Sequence, residues 1–278
     1  MTSLDLKKLY SLRADANALG GYLEAPVART LPTLAPVALP AVGGFAMARS
    51  EAFTADEIVS CSSAYTRVLG QECCPDGSAS ILVTAVIEDL NILEVVRAER
   101  IVTQLSITLS DEAPAIGFCV SGTVFEGLRI AGHECRPTLN KELQRPRDSK
   151  SAGGRLACEQ VRQAGRVQGE SLLSGFKDGS EEAHRWVVSR HHRMTSDPAA
   201  GGGGYALASL VDHLEVAGGC RSFGHIIDIP GFGQILLGEL LVSCDAVQLI
   251  GIRAQLGCCP VRGKITIDAI GGGGTGDN

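Results

Sequence analysis

The sequence predicts a mainly β protein: an antiparallel β-sandwich or jelly-roll-like fold, with a proline-rich N-terminal arm and an irregular or partly helical central insertion. Three observations carry that prediction. Between Ile101 and Ser110 the chain alternates strictly, with Ile101, Thr103, Leu105, Ile107 and Leu109 on one side and Val102, Gln104, Ser106, Thr108 and Ser110 on the other. Side chains of an extended chain change face every second residue, so this is a half-buried strand. The run Ile81 to Ile87 is apolar and β-branched, as a central strand is. Gln234 to Val242 is apolar on both faces and therefore needs cover on both, from a second sheet, the arm or a partner chain.

A chain of 278 residues with 45% hydrophobic and 20% charged residues is long enough to bury a large core. Aromatics make up only 4%, with one tryptophan, which argues against stacking on bases or sugar rings. The net charge of −6 argues against a general affinity for nucleic acid. No stretch reaches the roughly 18 apolar residues of a membrane helix. Behind Lys7 and Lys8 no apolar block of leader length follows, so the expected location is the cytoplasm, without membrane partners. The ten cysteines are scattered without C-x-x-C spacing and read as small buried hydrophobes in a reduced state. The vicinal pairs Cys73-Cys74 and Cys258-Cys259 precede Pro75 and Pro260 in expected turns.

In chain order, residues 1–20 place Leu4, Leu6, Leu9, Tyr10 and Leu12 near helical spacing, which predicts a short amphipathic helix. Residues 24–44 carry Pro26, Pro32, Pro36 and Pro40; each removes a backbone donor, so this piece reads as an arm in a groove rather than a helix or central strand. Together residues 1–44 form the helix and arm, residues 45–270 a single β domain, and residues 271–278 a disordered tail. A strand around 57–68 turns at Pro75-Asp76-Gly77, where proline presets φ and glycine accepts positive φ, and pairs back as a hairpin. Gly127 marks an expected bulge within 122–132. Residues 205–216 fit both helical and strand periods, with strand favoured by the neighbours. Extended pieces at 225–229, 234–243, 247–256 and 263–270 complete a meander.

Three of these pieces carry a family resemblance: Asp89-Leu90-Asn91-Ile92-Leu93, then Val96-Arg97-Ala98-Glu99-Arg100-Ile101, then Gly122 to Gly132, read GTVFEGLRIAG. Over about residues 80–135, and more loosely over the last 60, the chain resembles bacterial proteins of the choice-of-anchor P type. Glu99 stands where that pattern has Asp. The resemblance implies a β-sandwich-like module of unassigned activity and brings no catalytic residues.

Residues 136–204 differ in character. From Arg136 to Arg193 there are twelve Lys or Arg against seven Asp or Glu, a basic insertion on an acidic body. Arg155 to Leu173 fits a polar helix whose Leu156, Val161 and Val167 are too sparse for a broad apolar face, and the segment reads as an exposed insertion ending in Gly201 to Gly204. Its candidate binding residues are Arg185, Arg190, His191, His192 and Arg193. Their charge suits an acidic protein or carbohydrate partner and opposes a cation. No H-E-x-x-H is present, Gly201 to Gly204 and Gly231-Phe232-Gly233 lack the companions of a phosphate cradle, and no G-x-S-x-G elbow occurs. The expectation is therefore no catalytic set, no metal and no cofactor. The favoured function is non-enzymatic, a structural or assembly protein acting by self-association as a homo-oligomer. The alternative is a binding module for a small molecule, carbohydrate or acidic partner through the basic insertion. A third reading, a hydrolase or isomerase, would draw on His133, His213, His225 and Asp228, with Asp212 beside His213 as a further acid-base partner.

Overall fold

The computed structural model describes residues 9–26, 28–73, 78–110, 115–144, 154–174, 185–196, 205–243, 246–257, 262–272 and 274–276. The chain opens with β1 (Leu9–Ser11), β2 (Ala14–Ala25), β3 (Arg29–Leu34), β4 (Val37–Leu39), β5 (Gly44–Ser50), β6 (Phe53–Ala55) and β7 (Val59–Cys61). The long strands β8 (Ser63–Cys73), β9 (Ser78–Ile92) and β10 (Val96–Ser110) follow, then β11 (Ala115–Cys119), β12 (Val124–Glu126), β13 (Arg129–Ile130), β14 (His133–Glu134) and β15 (Thr138–Leu139). Helices α1 (Lys141–Gln144), α2 (Gly154–Ser174) and α3 (Arg185–Thr195) come next. The last part holds β16 (Ala206–Ser209), β17 (Val211–His213), β18 (Arg221–Phe223), β19 (Ile226–Ile229), β20 (Gly233–Val242), β21 (Ala246–Leu256), β22 (Arg262–Gly272) and β23 (Gly274–Gly276).

Two antiparallel sheets face each other. The first runs β14-β13-β10-β9-β7-β6, with β11 and β12 also on β10 and the β5-β8 pair on β9. The second runs β18-β19-β20-β21-β22-β2-β3, with β16 on β20 and β4 on β2. Across the gap β2 packs on β8 and β9, β22 on β9 and β10, and β21 on β10. One end of the shared core joins Ile87, Leu90 and Ile101 to Ile235, Ile252 and Ile267; the other joins Ile81, Val83, Leu105 and Ile107 to Leu240, Val247 and Leu249. Fully enclosing such a side chain is worth about 1.5–3 kcal/mol, and this burial holds the two layers together. The mainly β sandwich expected from the sequence is the observed architecture.

The alternation of residues 101–109 is reproduced, odd positions enclosed and even ones half-buried. Beyond Glu99 the phase changes: Val96 and Ala98 face the core on even positions, as do Leu90 and Ile92 across the ladder. Asp89, opposite Glu99, takes φ +51°, a left-handed kink that shifts the face by one residue. Gly127 does interrupt the strand, separating β12 from β13 at φ +59°. The β9–β10 hairpin turns on Leu93 and Glu94, both at positive φ, and Asn91 Oδ1 accepts the Glu94 N–H at 2.9 Å. Cys73 pairs with Ser78, which makes the expected hairpin; its turn residues 74–77 lie outside the described residues.

Several expectations need correction. Residues 9–25 form β1 and β2 rather than an amphipathic helix, because Leu12, Ala14 and Ala16 alternate into the core and β2 gains partners on both edges, β22 on one and β3 and β4 on the other; Leu4 and Leu6 of that expected helix lie outside the described residues. The proline-rich arm is not a separate arm in a groove. Its Arg29–Leu34 and Val37–Leu39 are edge strands of the second sheet, which is where proline is tolerated. Gly274–Gly276 of the expected disordered tail pairs with Leu9–Ser11. The ambiguous piece 205–216 resolves into the short strands β16 and β17. The insertion is not an exposed flap: α2 lies on β16, β20 and β11, and α3 lies on α2 and β16. It covers the outer face of β20, so the strand greasy on both faces is enclosed by its own chain. The contact face of α2 escapes a hydrophobicity count because it is made largely of small groups. Val161, Gly165, Gln168, Gly169 and Leu172 are all buried along it, and added Cβ atoms at Gly165 and Gly169 would run into the Leu207 carbonyl and the Thr195 and Met194 side chains.

Candidate ligand-binding cleft

A cleft of about 620 Å³ opens between α2, the start of α1 and the β15–β17 ribbon. One stripe of α2 forms a wall, with Gln160, Gln163, Ala164, Val167 and Ser171 one turn apart, the spacing that puts side chains on a common face. Asn140, Asp212 and His225 supply the opposite side.

Its polar groups are fixed rather than loose. The Gln168 side chain behaves as a strand segment, its Nε2 donating to the Ser209 carbonyl and its Oε1 accepting the Ser209 N–H, both at 2.8 Å. The same Nε2 donates to Asp212 Oδ1 at 2.8 Å, and Asn140 Nδ2 donates to that oxygen at 2.8 Å. Asn140 is itself held at the start of α1, where its Oδ1 accepts the N–H groups of Glu142 and Leu143 at 3.0 Å, a helix-capping arrangement. Ser209 Oγ donates to the Leu237 carbonyl at 2.8 Å and accepts the Val211 N–H at 2.9 Å, which locks the crossing from β16 to β17 and sets where Asp212 projects. Gly224, at φ +62°, brings the turn before His225 against the Asp212 carbonyl, close enough that an added Cβ would lie 3.3 Å from it.

His225 is 1% exposed and its Nε2 has no hydrogen-bond partner. Buried polar atoms without partners are rare in folded chains and call for a physical reason. Burial first, and the nearby Arg190 charge second, push its pKa well below the ordinary range, so the imidazole is neutral. Behind it lies a buried charge cluster. Glu239, fully enclosed on β20, forms ion pairs with Arg190 of α3 and with Arg253 of β21, the latter at 2.8 Å. Burial lowers the Arg190 pKa, and the Glu239 charge opposes that shift.

The five candidate binding residues are therefore not one surface. Arg190 points inward, 4% exposed, and is neutralised by Glu239. His191 is half-buried, while His192 and Arg193 are exposed on the far side of α3; the Arg185 side chain lies outside the described residues. Of the third set, Asp228 is engaged by Arg221 at 2.5 Å across the β18–β19 ladder, and His133 and His213 are exposed on other strands. His225 alone of these four lines the cleft, together with the Asp212 also flagged in the sequence. Sequence reasoning missed Glu239, although a carboxylate inside the apolar run ILLGELLV was a readable signal. It also missed Asn140 and Gln168, whose roles arise only from tertiary contacts.

A second, shallower hollow of about 340 Å³ lies at the kink between β9 and β10, beside Asp89, Asn91, Glu99 and Arg129. Among the described residues no group of three His, Cys, Asp or Glu side chains is placed to hold a metal. No described helix is long and apolar enough to cross a membrane.

Residues 10–243 match the family described as a domain of unknown function, DUF8256. The chain belongs to that family. No curated protein and no solved structure matches it. In this DUF8256 chain the matched stretch takes in α2, β17 and His225, so it contains the cleft, and it stops before β21 and β22.

Proposed function

We propose that this chain is a binding module whose cleft between α2 and the β15–β17 ribbon takes a small molecule. The observation that carries the reading is the convergence, in one cleft of about 620 Å³, of a hydrogen-bonded Asp212 and a buried His225 with an unpartnered nitrogen. Pockets of roughly 300–1,000 Å³ with a few fixed polar groups are the usual form of small-molecule sites. The binding surface differs from the residues of the basic insertion expected from sequence: of their described side chains, His192 and Arg193 are exposed, His191 is half-buried and Arg190 is enclosed. A fragment screen by ligand-observed NMR tests the reading. At least one fragment should bind saturably, and Val167→Trp, an exposed position on the cleft wall, should weaken it by more than about tenfold, or 1.4 kcal/mol. Fragments that bind equally well to this variant would place the site elsewhere.

Self-association of the sandwich is a second reading, favoured by a different observation. Among the described residues β5 is an edge strand that pairs with β8 alone, and Val42, Phe45 and Met47 stand exposed on or beside it. Unpaired edges with apolar side chains favour pairing with another chain. Light scattering at micromolar concentration should then show a dimer or larger species, and Met47→Lys should shift it to monomer. A cytoplasmic location is proposed with the thiols in view: among the described residues Cys61, Cys119, Cys135 and Cys220 form no disulfide, as a reducing compartment favours. Kinship with choice-of-anchor P type proteins is proposed on the three motif segments, which here sit side by side on β9, β10, β12 and β13.

A further inference from the structure

We propose that the ligand of this cleft is a cation, a small molecule carrying a primary ammonium or guanidinium that seats on Asp212, with His225 as second polar partner and an apolar body along Ala164 and Val167. The inference rests on the binding reading above and adds the chemical class.

Charge decides the class. Among the described residues the ionisable groups that line the cleft are Glu142, Glu159, Asp212 and His225, with no Lys or Arg. Glu159 is taken up by Arg162 on the same helix, Nε to Oε2 at 2.6 Å. Asp212 is different: both hydrogen bonds it accepts come from the neutral carboxamides of Asn140 and Gln168, and among the described residues it has no cationic partner. Two neutral donors fix a carboxylate in place without cancelling its charge. An anionic ligand would meet that charge with no compensating group among the described lining residues, whereas an ammonium forms a charge-assisted hydrogen bond. The enclosed His225 nitrogen gives the second and independent pointer, because a neutral imidazole buried beside the cleft lacks a partner that a ligand group supplies. Arg190 cannot serve an anion from behind it, being committed to Glu239. Ala164 and Val167 give the wall an apolar strip between these polar ends, suited to a hydrocarbon body.

The test compares three probes of matched shape, 2-phenylethylammonium, 2-phenylethanol and phenylacetate, titrated calorimetrically at low ionic strength into the wild-type chain, Asp212→Asn and Val167→Trp. Asparagine keeps an oxygen that accepts both carboxamides and replaces the other, charged oxygen by a neutral NH2. The ammonium should bind about tenfold tighter than the alcohol and phenylacetate weakest, as one charge-assisted contact implies. In Asp212→Asn that preference should shrink to about twofold or less, the residue of a neutral hydrogen bond. Independently of any variant, the His225 ring ¹⁵N resonance should move on saturation with the ammonium. Equal or tighter binding of the alcohol or phenylacetate, sensitive to Val167→Trp, overturns the cationic class and leaves the binding module standing. An ammonium preference that survives Asp212→Asn, or an unmoved His225 resonance, overturns the assignment to these residues. If none of the three probes binds in a manner sensitive to Val167→Trp, the cationic proposal falls; failure of the whole fragment screen as well removes the binding reading with it.

Discussion

Glu239 is enclosed on every side and is met by two guanidiniums from different elements, Arg190 and Arg253. Arg190→Ala leaves Arg253 as the counter-charge of Glu239 and removes a buried charge-assisted contact, worth about 1.5–3 kcal/mol. It should lower urea-unfolding stability by roughly that amount, while Arg193→Ala, three residues on and exposed, should stay within about 0.5 kcal/mol. The sequence treats the two arginines alike. What separates them is the side of α3 that packs, and the clue was Met194, a buried apolar residue one turn after Arg190. His225 makes a pH prediction. Its folded-state pKa is depressed well below 6.5 by burial and then by Arg190, whereas in the unfolded chain it titrates near 6.5. Between those values the unfolded chain takes up a proton and the native one does not. The stabilisation is therefore complete above about pH 6.5 and is lost as pH falls below it, by up to about 1.4 kcal/mol per pH unit. Chemical denaturation from pH 7.5 to 5 should show a flatter profile for His225→Asn than for the wild-type chain. Parallel profiles would mean that His225 already carries a proton in the fold.

Among the elements, α2 shows best how a contact face hides from hydrophobic periodicity. Its approach to β16 is made at Gly165, where a Cβ would collide with the Leu207 carbonyl oxygen. Alanine is the better helix former by about 1 kcal/mol, yet Gly165→Ala should destabilise by about 1–3 kcal/mol, because overpacking forces the helix off the sheet. A rise in thermal midpoint for this variant would show that the helix yields without strain. The strands were far more legible. In β9, β10, β20 and β21 side-chain alternation and branched residues carry the signal locally; the bounds of β20 and β21 fall within a residue of the expected ones, while β9 and β10 each run five residues further at the kinked end. β1 and β2 were misread because Leu9, Tyr10 and Leu12 fit either period over so short a stretch, and pairing with β22 and β23 decides the matter from far along the chain. Prolines between Pro26 and Pro40 argued correctly against a central strand, while the reading as an arm missed β3 and β4, which occupy the margins of their sheet.

At the scale of the molecule, the sandwich was readable because it follows from many local patterns, whereas the cleft was not, because Asn140, Gln168, Asp212 and His225 come from four separate segments. Its two sheets also meet at close quarters: Gly251 of β21 faces Thr103 of β10 with no room for a side chain between. The second sheet places β21 and β22 between β20 and β2, so a chain cut after residue 243 should lack cooperative unfolding in circular dichroism, even though it retains the whole of the family match. A cooperative melt from that fragment would mean that β2 closes on β20 directly. The wedge position of β22 has a bearing on biosynthesis. β2 leaves the ribosome more than 230 residues before its companion β22, so nascent molecules carry an open seam, one edge unmatched, throughout the synthesis of the stretch between them. That interval is when a chaperone, or a stray neighbour of the same kind, has its opportunity, and it ends only as β22 slides into place.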